Sequence, residues 1–131
     1  MTKQMMVLVA IILYVLARSL FIEPNSLVIQ KHDIEDSYLQ GIRIAYLTDF
    51  HLRKNDYKKL DKIVRMTRNQ GADLVILGGD YFSGSNLKSA INIRLASQKL
   101  ALFDAPTYAV LGEADWKLGG NEIISNLELM A

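Results

Sequence analysis

Two aspartates and a histidine end apolar segments of this chain at positions where they could bind a metal ion. Asp49 and His51 follow the apolar run at residues 42–48, and Asp80 ends a second run about thirty residues later. Two positions apart on an extended chain, Asp49 and His51 point to the same side. A carboxylate from the neighbouring strand end could then bridge two ions. This spacing predicts the beginning of a two-metal site that holds a phosphate oxygen and activates water.

Each of these motifs also has an ordinary structural interpretation. An Asp-x-His at a strand end often caps a turn, and Gly-Asp is a common turn dipeptide. Their order at two strand ends, separated by one amphipathic helix, favours metal binding. A mixed set of carboxylate and imidazole ligands suits manganese, iron or zinc better than calcium.

Hydrophobic periodicity predicts alternating strands and helices in most of the chain. Strands are predicted at residues 26–31, 42–48, 72–78 and 107–111, and helices at residues 55–69, from Ser85 or Asn86 to just before Asp104, and from about Asn121 onward. This order is typical of an α/β fold with a largely parallel sheet and right-handed crossover helices. Ligands in such sheets bind at the carboxyl ends of the strands, where Asp49, His51 and Asp80 are predicted to lie.

Several other polar and aromatic residues have simpler interpretations. Lys54, Lys58, Lys59 and Lys62 are predicted to form the solvated outer face of the first crossover helix. Trp116 is predicted to pack on a neighbouring helix.

The N-terminal segment is apolar and predicts membrane attachment. Residues 5–22 are interrupted only by Arg18 and Ser19, and Lys3 precedes them. The run predicts a hydrophobic helix that forms a single-pass membrane anchor of marginal length, without fixing its side of the membrane. The alternatives are an export signal cleaved after Ala17, or a buried core helix, which the absence of a polar face disfavours. The predicted organisation is an anchor or signal at residues 1–25 and an α/β domain at residues 26–131.

Composition narrows the function classes. Fifteen lysines and arginines against 14 aspartates and glutamates give a net charge of +1, so no nucleic-acid partner is expected. The absence of cysteine excludes disulfides, thiolate zinc sites and cysteine nucleophiles. Any metal must therefore be bound by oxygen and imidazole.

The segments at residues 42–52 and 71–80 resemble the first two signature blocks of the calcineurin-like metallophosphoesterases. The resemblance implies a partial metallophosphoesterase fold, in which Asp49 and His51 bind the first metal and Asp80 bridges both. It further implies a hydrolase that cleaves a phosphoester or pyrophosphate in a phosphorylated small molecule or a lipid-linked substrate. The N-terminal segment is similar to that of a bacterial, membrane-anchored subgroup.

The third block of the family departs from its pattern here. The family sequence is Gly-Asn-His followed by an acidic residue, and the matching segment is Gly112-Glu113-Ala114-Asp115. Glu113 stands where the family has a metal-binding asparagine. Ala114 replaces the histidine that stabilises the transition state or protonates the leaving group, and it has no group that can do either.

The number of ligands is also small. Family members contribute further histidines, including a Gly-His-x-His block, whereas the only other histidine here is His32. Asp49, His51, Asp80 and Glu113 give at most four side-chain ligands, so we expect a single bound ion and little activity. The chain therefore resembles the N-terminal half of a family member.

Three alternatives remain open at this stage. The chain could be a catalytically silent, membrane-anchored interaction domain, or one half of a split phosphoesterase that another chain completes with the missing C-terminal half. A nucleotide-binding α/β domain without metals is disfavoured, because no Gly-x-Gly-x-x-Gly turn follows any strand.

Overall fold

The chain forms two compact units, Met1–Ile34 and Glu35–Ala131, in a computed structural model that describes residues 3–18 and 27–129. The first unit contains helix α1 (Lys3–Ala17), whose side chains are exposed. None of the helices in the described ranges is long and apolar enough to cross a bilayer. The membrane anchor predicted at residues 5–22 stays a prediction. Its last four residues and the predicted boundary after residue 25 lie outside the described ranges.

The second unit is built on a three-stranded parallel sheet. Its strands β1 (Ile44–Leu47), β2 (Leu74–Leu77) and β3 (Thr107–Ala109) lie side by side in that order. Helices α2 (Tyr57–Arg68), α3 (Ile93–Leu100) and α4 (Glu113–Glu128) each follow one strand, and α3 packs against both other helices. The predicted α/β fold with a parallel sheet is confirmed. All three strands and α2 fall within their predicted ranges.

The two faces of the sheet differ in burial. Val75 and Leu77 on one face are 1% exposed and belong to the core. On the opposite face the side chains of Ile44, Tyr46 and Tyr108 are 51%, 65% and 68% exposed. Because parallel sheets are normally covered on both faces, this apolar face is an unusual surface within the described part of the chain.

The predicted strand at residues 26–31 is wrong over its described part. Residues 27–36 form no regular secondary structure, and none of them pairs with β1, β2 or β3.

The predicted start of α3 at Ser85 or Asn86 is also wrong, because the helix begins at Ile93. The Asn86 side chain accepts the N–H of Ser89 at 3.0 Å, and the Ser89 hydroxyl donates to the Asn86 carbonyl at 2.8 Å. These local hydrogen bonds form a turn that competes with helix. Asn92 is the residue that caps α3, since its side chain accepts the N–H of Leu95 at 3.0 Å.

Helix α4 begins at Glu113, eight residues before the predicted start at Asn121. The Asp115 carboxylate accepts the Gly112 N–H at 3.0 Å and so caps the helix from its third residue. Gly119 has a φ of 136° and kinks the helix without ending it. Gly119 and Gly120 are residues typical of turns, so the sequence does not indicate that the helix begins as early as Glu113.

Candidate metal centre

The connections that follow β1 and β2 run side by side and carry the candidate ligands. The Asp49 N–H donates to the Gly79 carbonyl at 3.1 Å, and the His51 N–H donates to the Asp80 carbonyl at 3.0 Å. Leu52 then forms a parallel bridge with Phe82. The parallel pairing of the two strands therefore continues beyond their ends and brings both connections to the carboxyl edge of the sheet.

The side chains of Asp49, His51 and Asp80 converge at this edge, as their strand-end positions predict. One ligand atom from each residue lies within 4.8 Å of the others. His51 Nε2 is 3.7 Å from Asp49 Oδ1, and the two side chains are about half exposed, at 50% and 62%. The group is thus open to solvent on one side and accessible to a ligand.

The backbone at all three residues has a left-handed conformation. Asp49, His51 and Asp80 have φ angles of 58°, 44° and 55°, and no other non-glycine residue in the described ranges has a positive φ. Such a conformation costs roughly 1–3 kcal/mol per residue, and residues that adopt it cluster at functional sites. Aspartate and histidine tolerate it better than most residue types. The fold therefore holds these three residues in a conformation that stability alone does not favour.

Two glycines allow the segments that follow β2 and β3 to approach each other beside Asp80. A Cβ atom on Gly112 would overlap the Asp80 carboxylate, and a Cβ atom on Gly79 would overlap the Gly112 backbone. Gly79 also has a φ of 96°, which favours glycine. With this close approach the Ala114 N–H, in the first turn of α4, donates to Asp80 Oδ1 at 2.9 Å. The Asp80 carboxylate is therefore oriented by the start of α4.

A buried carboxylate supports Asp80 from behind. Asp115 is fully buried, and its Oδ2 accepts the Asp80 N–H at 2.7 Å and the Gly112 N–H at 3.0 Å. Its Oδ1 accepts the N–H groups of Tyr81 and Phe82 at 3.0 and 3.2 Å. Burial raises the pKa of the Asp115 carboxyl, and the four backbone donors offset part of that increase. One side chain thus ties the β2 connection to the start of α4.

Tyr81 joins the same two connections on the inner side. Burial, together with the nearby charge of Asp115, raises the pKa of the Tyr81 phenol well above its ordinary value, so the hydroxyl keeps its proton. The hydroxyl lies 2.8 Å from the Leu77 carbonyl and also contacts the Val110 carbonyl. It therefore links the ends of β2 and β3 beneath the candidate ligands.

The donor set and its spacing fit a divalent cation. With ligand bonds of about 2.0–2.2 Å, two ligand atoms of one ion lie no more than ~4.4 Å apart. The 3.7 Å between His51 Nε2 and Asp49 Oδ1 satisfies this limit. The ligand atoms of all three residues lie within 4.8 Å of one another, so a small side-chain rotation is enough to bring every pair within this limit. Two carboxylates and an imidazole suit manganese, iron or zinc.

A family model of the calcineurin-like phosphoesterases matches residues 42–129, which is more than half of the chain. The chain belongs to the calcineurin-like phosphoesterase family. The match covers all three strands of the sheet and includes Asp49, His51 and Asp80. No curated protein and no solved structure shows significant similarity to the chain. The family assignment therefore depends on the family model.

The segment that matches the third block of the family lies at the start of α4, where Glu113 and Ala114 stand in place of the family's asparagine and histidine. Glu113 is outside the group of converging ligand atoms, and its carboxylate forms an ion pair with Lys117 at 2.5 Å in which both side chains are exposed. This contact raises the pKa of Lys117. Ala114 contributes its backbone N–H to Asp80 and no side-chain chemistry. That Glu113 binds a metal stays a prediction.

Two supporting residues were not recognised from the sequence alone. Asp115 was identified only as the matching acid of the third block, although its position three residues after Gly112 is the sequence signal of a helix-capping acid. Lys59 was assigned to the solvated face of α2, but it is half-buried and its Nζ contacts the Phe50 carbonyl. Trp116, predicted to pack on a neighbouring helix, is 55% exposed, and its ring lies close to Gly120 of its own helix.

Proposed function

We propose that this calcineurin-like phosphoesterase binds one divalent metal ion through Asp49, His51 and Asp80 and slowly hydrolyses a phosphoester or pyrophosphate bond. The observation that carries the proposal is the convergence of three ligand atoms within 4.8 Å, each on a residue with a left-handed backbone. When bound, the ion would act as a Lewis acid on a phosphoryl oxygen and lower the pKa of a water molecule.

The residues around the site favour an anionic substrate group. The first turn of α4 reaches the site through the Ala114 N–H, and the N-terminus of a helix attracts negative charge. Asp80 keeps lone pairs for a cation while its Oδ1 accepts this N–H. Asp115 fixes the backbone on which Asp80 is mounted. These contacts hold the site in place before any ligand binds.

Low activity follows from the residues that are present. A proton donor at the position of Ala114 would contribute about 10²–10⁴ in rate, and a methyl group contributes nothing to proton transfer. Three side-chain ligands also leave a cation with several solvent-filled positions. We therefore expect slow turnover rather than the rate of a complete family site.

The test is hydrolysis of bis(4-nitrophenyl) phosphate by the purified full-length chain with manganese, in parallel with an Asp80→Asn variant. Slow release of nitrophenol that this substitution abolishes would support the proposal. Equal release by both proteins would identify a contaminating enzyme, and rapid turnover would show that the role of Ala114 is misjudged.

We propose as the second candidate function that the domain binds another polypeptide through its uncovered sheet face. Ile44, Tyr46 and Tyr108 form an apolar surface of the kind that marks interaction sites. A photo-crosslinking residue at Tyr108 would form a defined adduct in the native host if this face is an interface. The same residue at Tyr38, which is 92% exposed and outside the sheet, is the matched control. Equal labelling at both positions would contradict the interaction.

For the substrate and the location of the chain we propose a phosphorylated small molecule or lipid-linked phosphate, cleaved by a protein attached to a membrane through residues 5–22. The apolar sequence of this segment supports attachment. A lipid-linked substrate would be reached most easily by an enzyme held at the bilayer surface.

A further inference from the structure

Lys59 differs from the neighbouring lysines of α2. Lys58 and Lys62 are exposed, whereas Lys59 is half-buried and its Nζ donates to the carbonyl oxygen of Phe50 at 2.8 Å. Phe50 is the residue between Asp49 and His51. A cationic side chain from α2 is therefore bonded directly to the backbone of the segment that carries two candidate ligands.

The Phe50 residue is fixed at two points. Its ring is 5% exposed and packs on the Tyr81 ring, with 6.1 Å between the centroids. Its carbonyl is fixed by Lys59. The direction of this carbonyl sets the peptide plane that leads into His51, and both flanking residues have a left-handed backbone. Lys59 thus restricts rotation of this peptide plane. Such a rotation would change the orientation of Asp49 and His51 relative to each other.

A lysine at position 59 is unfavourable for stability because of its place in the helix and its burial. It lies in the first turn of α2, where the helix dipole favours acidic residues, and this turn contains none. An ammonium group that leaves water loses hydration, and a long side chain held in one conformation loses entropy. A residue that only covered the core at this position would not need a charge.

We propose that Lys59 is a positioning residue of the metal centre. Its ammonium group holds the Phe50 carbonyl and thereby keeps Asp49 and His51 in the arrangement that binds the cation. This inference rests on the proposed function, because it assigns Lys59 a part in the same site.

A positioning role and a purely electrostatic effect of Lys59 predict opposite changes in manganese affinity when this lysine is replaced. Removing a positive charge near a cation site strengthens cation binding if only Coulomb interactions change. Loss of a positioning contact weakens it, by about 10–100-fold for groups that orient metal ligands. The direction of the change in manganese affinity therefore distinguishes the two roles.

The experiment measures manganese affinity by titration calorimetry on the full-length chain and its Lys59→Met, Lys59→Arg and Lys58→Met variants. We expect Lys59→Met to weaken binding about 10–100-fold. Lys59→Arg, which keeps a donor, should bind within about threefold of the unsubstituted chain. Lys58→Met removes the same charge from the exposed neighbouring position and should leave affinity unchanged or slightly higher. Affinity that is equal or tighter in Lys59→Met would overturn the proposal.

Hydrogen exchange on the metal-free chain separates this proposal from the proposed function. The Asp49 and His51 amides, which donate to the β2 connection, should exchange at least about tenfold faster in Lys59→Met and at the normal rate in Lys58→Met. If the unsubstituted chain binds no manganese while this change is seen, the proposed function fails, and Lys59 orders the Asp49–His51 segment without a role in metal binding. Unchanged exchange in Lys59→Met would contradict the positioning role, even if the unsubstituted chain binds manganese.

Discussion

Asp115 holds the backbone of Asp80, since the Asp80 amide N–H lies 2.7 Å from Asp115 Oδ2. The same carboxylate accepts the N–H groups of Tyr81, Phe82 and Gly112. A single buried side chain thus connects the second candidate carboxylate to the helix that begins with the third family block. The left-handed backbone at Asp80 is maintained by this connection.

Asp115→Asn should destabilise the chain by about 2–4 kcal/mol. The asparagine would direct an NH₂ group at backbone donors that now face a carboxylate, so at least one of them would lose its acceptor. Urea denaturation followed by circular dichroism measures the loss. Asp61→Asn is the control, because Asp61 forms an exposed ion pair with Lys99 and such pairs contribute little. Equal, small losses in both variants would show that the Asp115 contacts are not important for stability.

Gly112→Ala should weaken manganese binding through a steric clash, because alanine can adopt the backbone conformation of this position. The φ of Gly112 is −85°, which alanine adopts freely, but its Cβ would overlap the Asp80 carboxylate. The Asp80 carboxylate must then leave its present position beside Asp49 and His51, and we expect at least a tenfold loss of affinity by calorimetry, as for other changes to groups that orient ligands.

Gly41→Ala is the control for this experiment. Gly41 has a φ of 81° and open space around its Cα, so alanine there introduces strain without a steric clash. It should lower stability by about 1 kcal/mol and leave manganese affinity unchanged. Normal affinity in Gly112→Ala would mean that Asp80 binds no metal or has room to adjust.

The sequence was sufficient to predict the sheet and the convergence of the three site residues. Continuous apolar runs that end in polar residues identify β1 and β2, and parallel pairing then brings Asp49 and Asp80 to one edge. It was not sufficient for α3, where the hydrogen bonds of Asn86 form a turn within a segment of helical periodicity. Lys59 was misassigned for a related reason, because its partner is a backbone carbonyl, which no side-chain pattern reveals.

Manganese should stabilise the folded chain by an amount that rises with the logarithm of its concentration once that concentration exceeds the Kd. A ligand at 100 times its Kd adds about 2.7 kcal/mol to the free energy of unfolding. We expect scanning fluorimetry to show a rising midpoint with manganese, reversed by a chelator and absent in Asp49→Asn and Asp80→Asn. His32→Gln removes the other histidine, which is exposed and outside the site, and should respond normally. A response in Asp80→Asn equal to that of the unsubstituted chain would exclude the site.

Membrane attachment through residues 5–22 predicts recovery of the chain in the membrane fraction. Val9→Asp combined with Ile12→Asp places two charges in the apolar segment and should release the chain, because each charge costs about 2.5–3.5 kcal/mol in a bilayer. Immunoblots of membrane and supernatant fractions after a high-salt wash measure the distribution. Val28→Asp is the control, since this exposed residue lies outside the segment. Recovery of the unsubstituted chain in the supernatant would contradict attachment.

Ala114→His should increase manganese-dependent hydrolysis of bis(4-nitrophenyl) phosphate. The Ala114 N–H already contacts Asp80, so an imidazole at this position would begin beside the candidate ligands. It would restore a group that can donate a proton or polarise a phosphoryl oxygen, worth up to about 10²–10⁴ in rate when well placed. We expect a gain of at least about tenfold in kcat, which the further substitution Asp80→Asn abolishes. Ala114→Leu adds bulk without a proton donor and should give no gain. If the histidine and leucine variants are equally slow, the position of Ala114 does not limit the reaction.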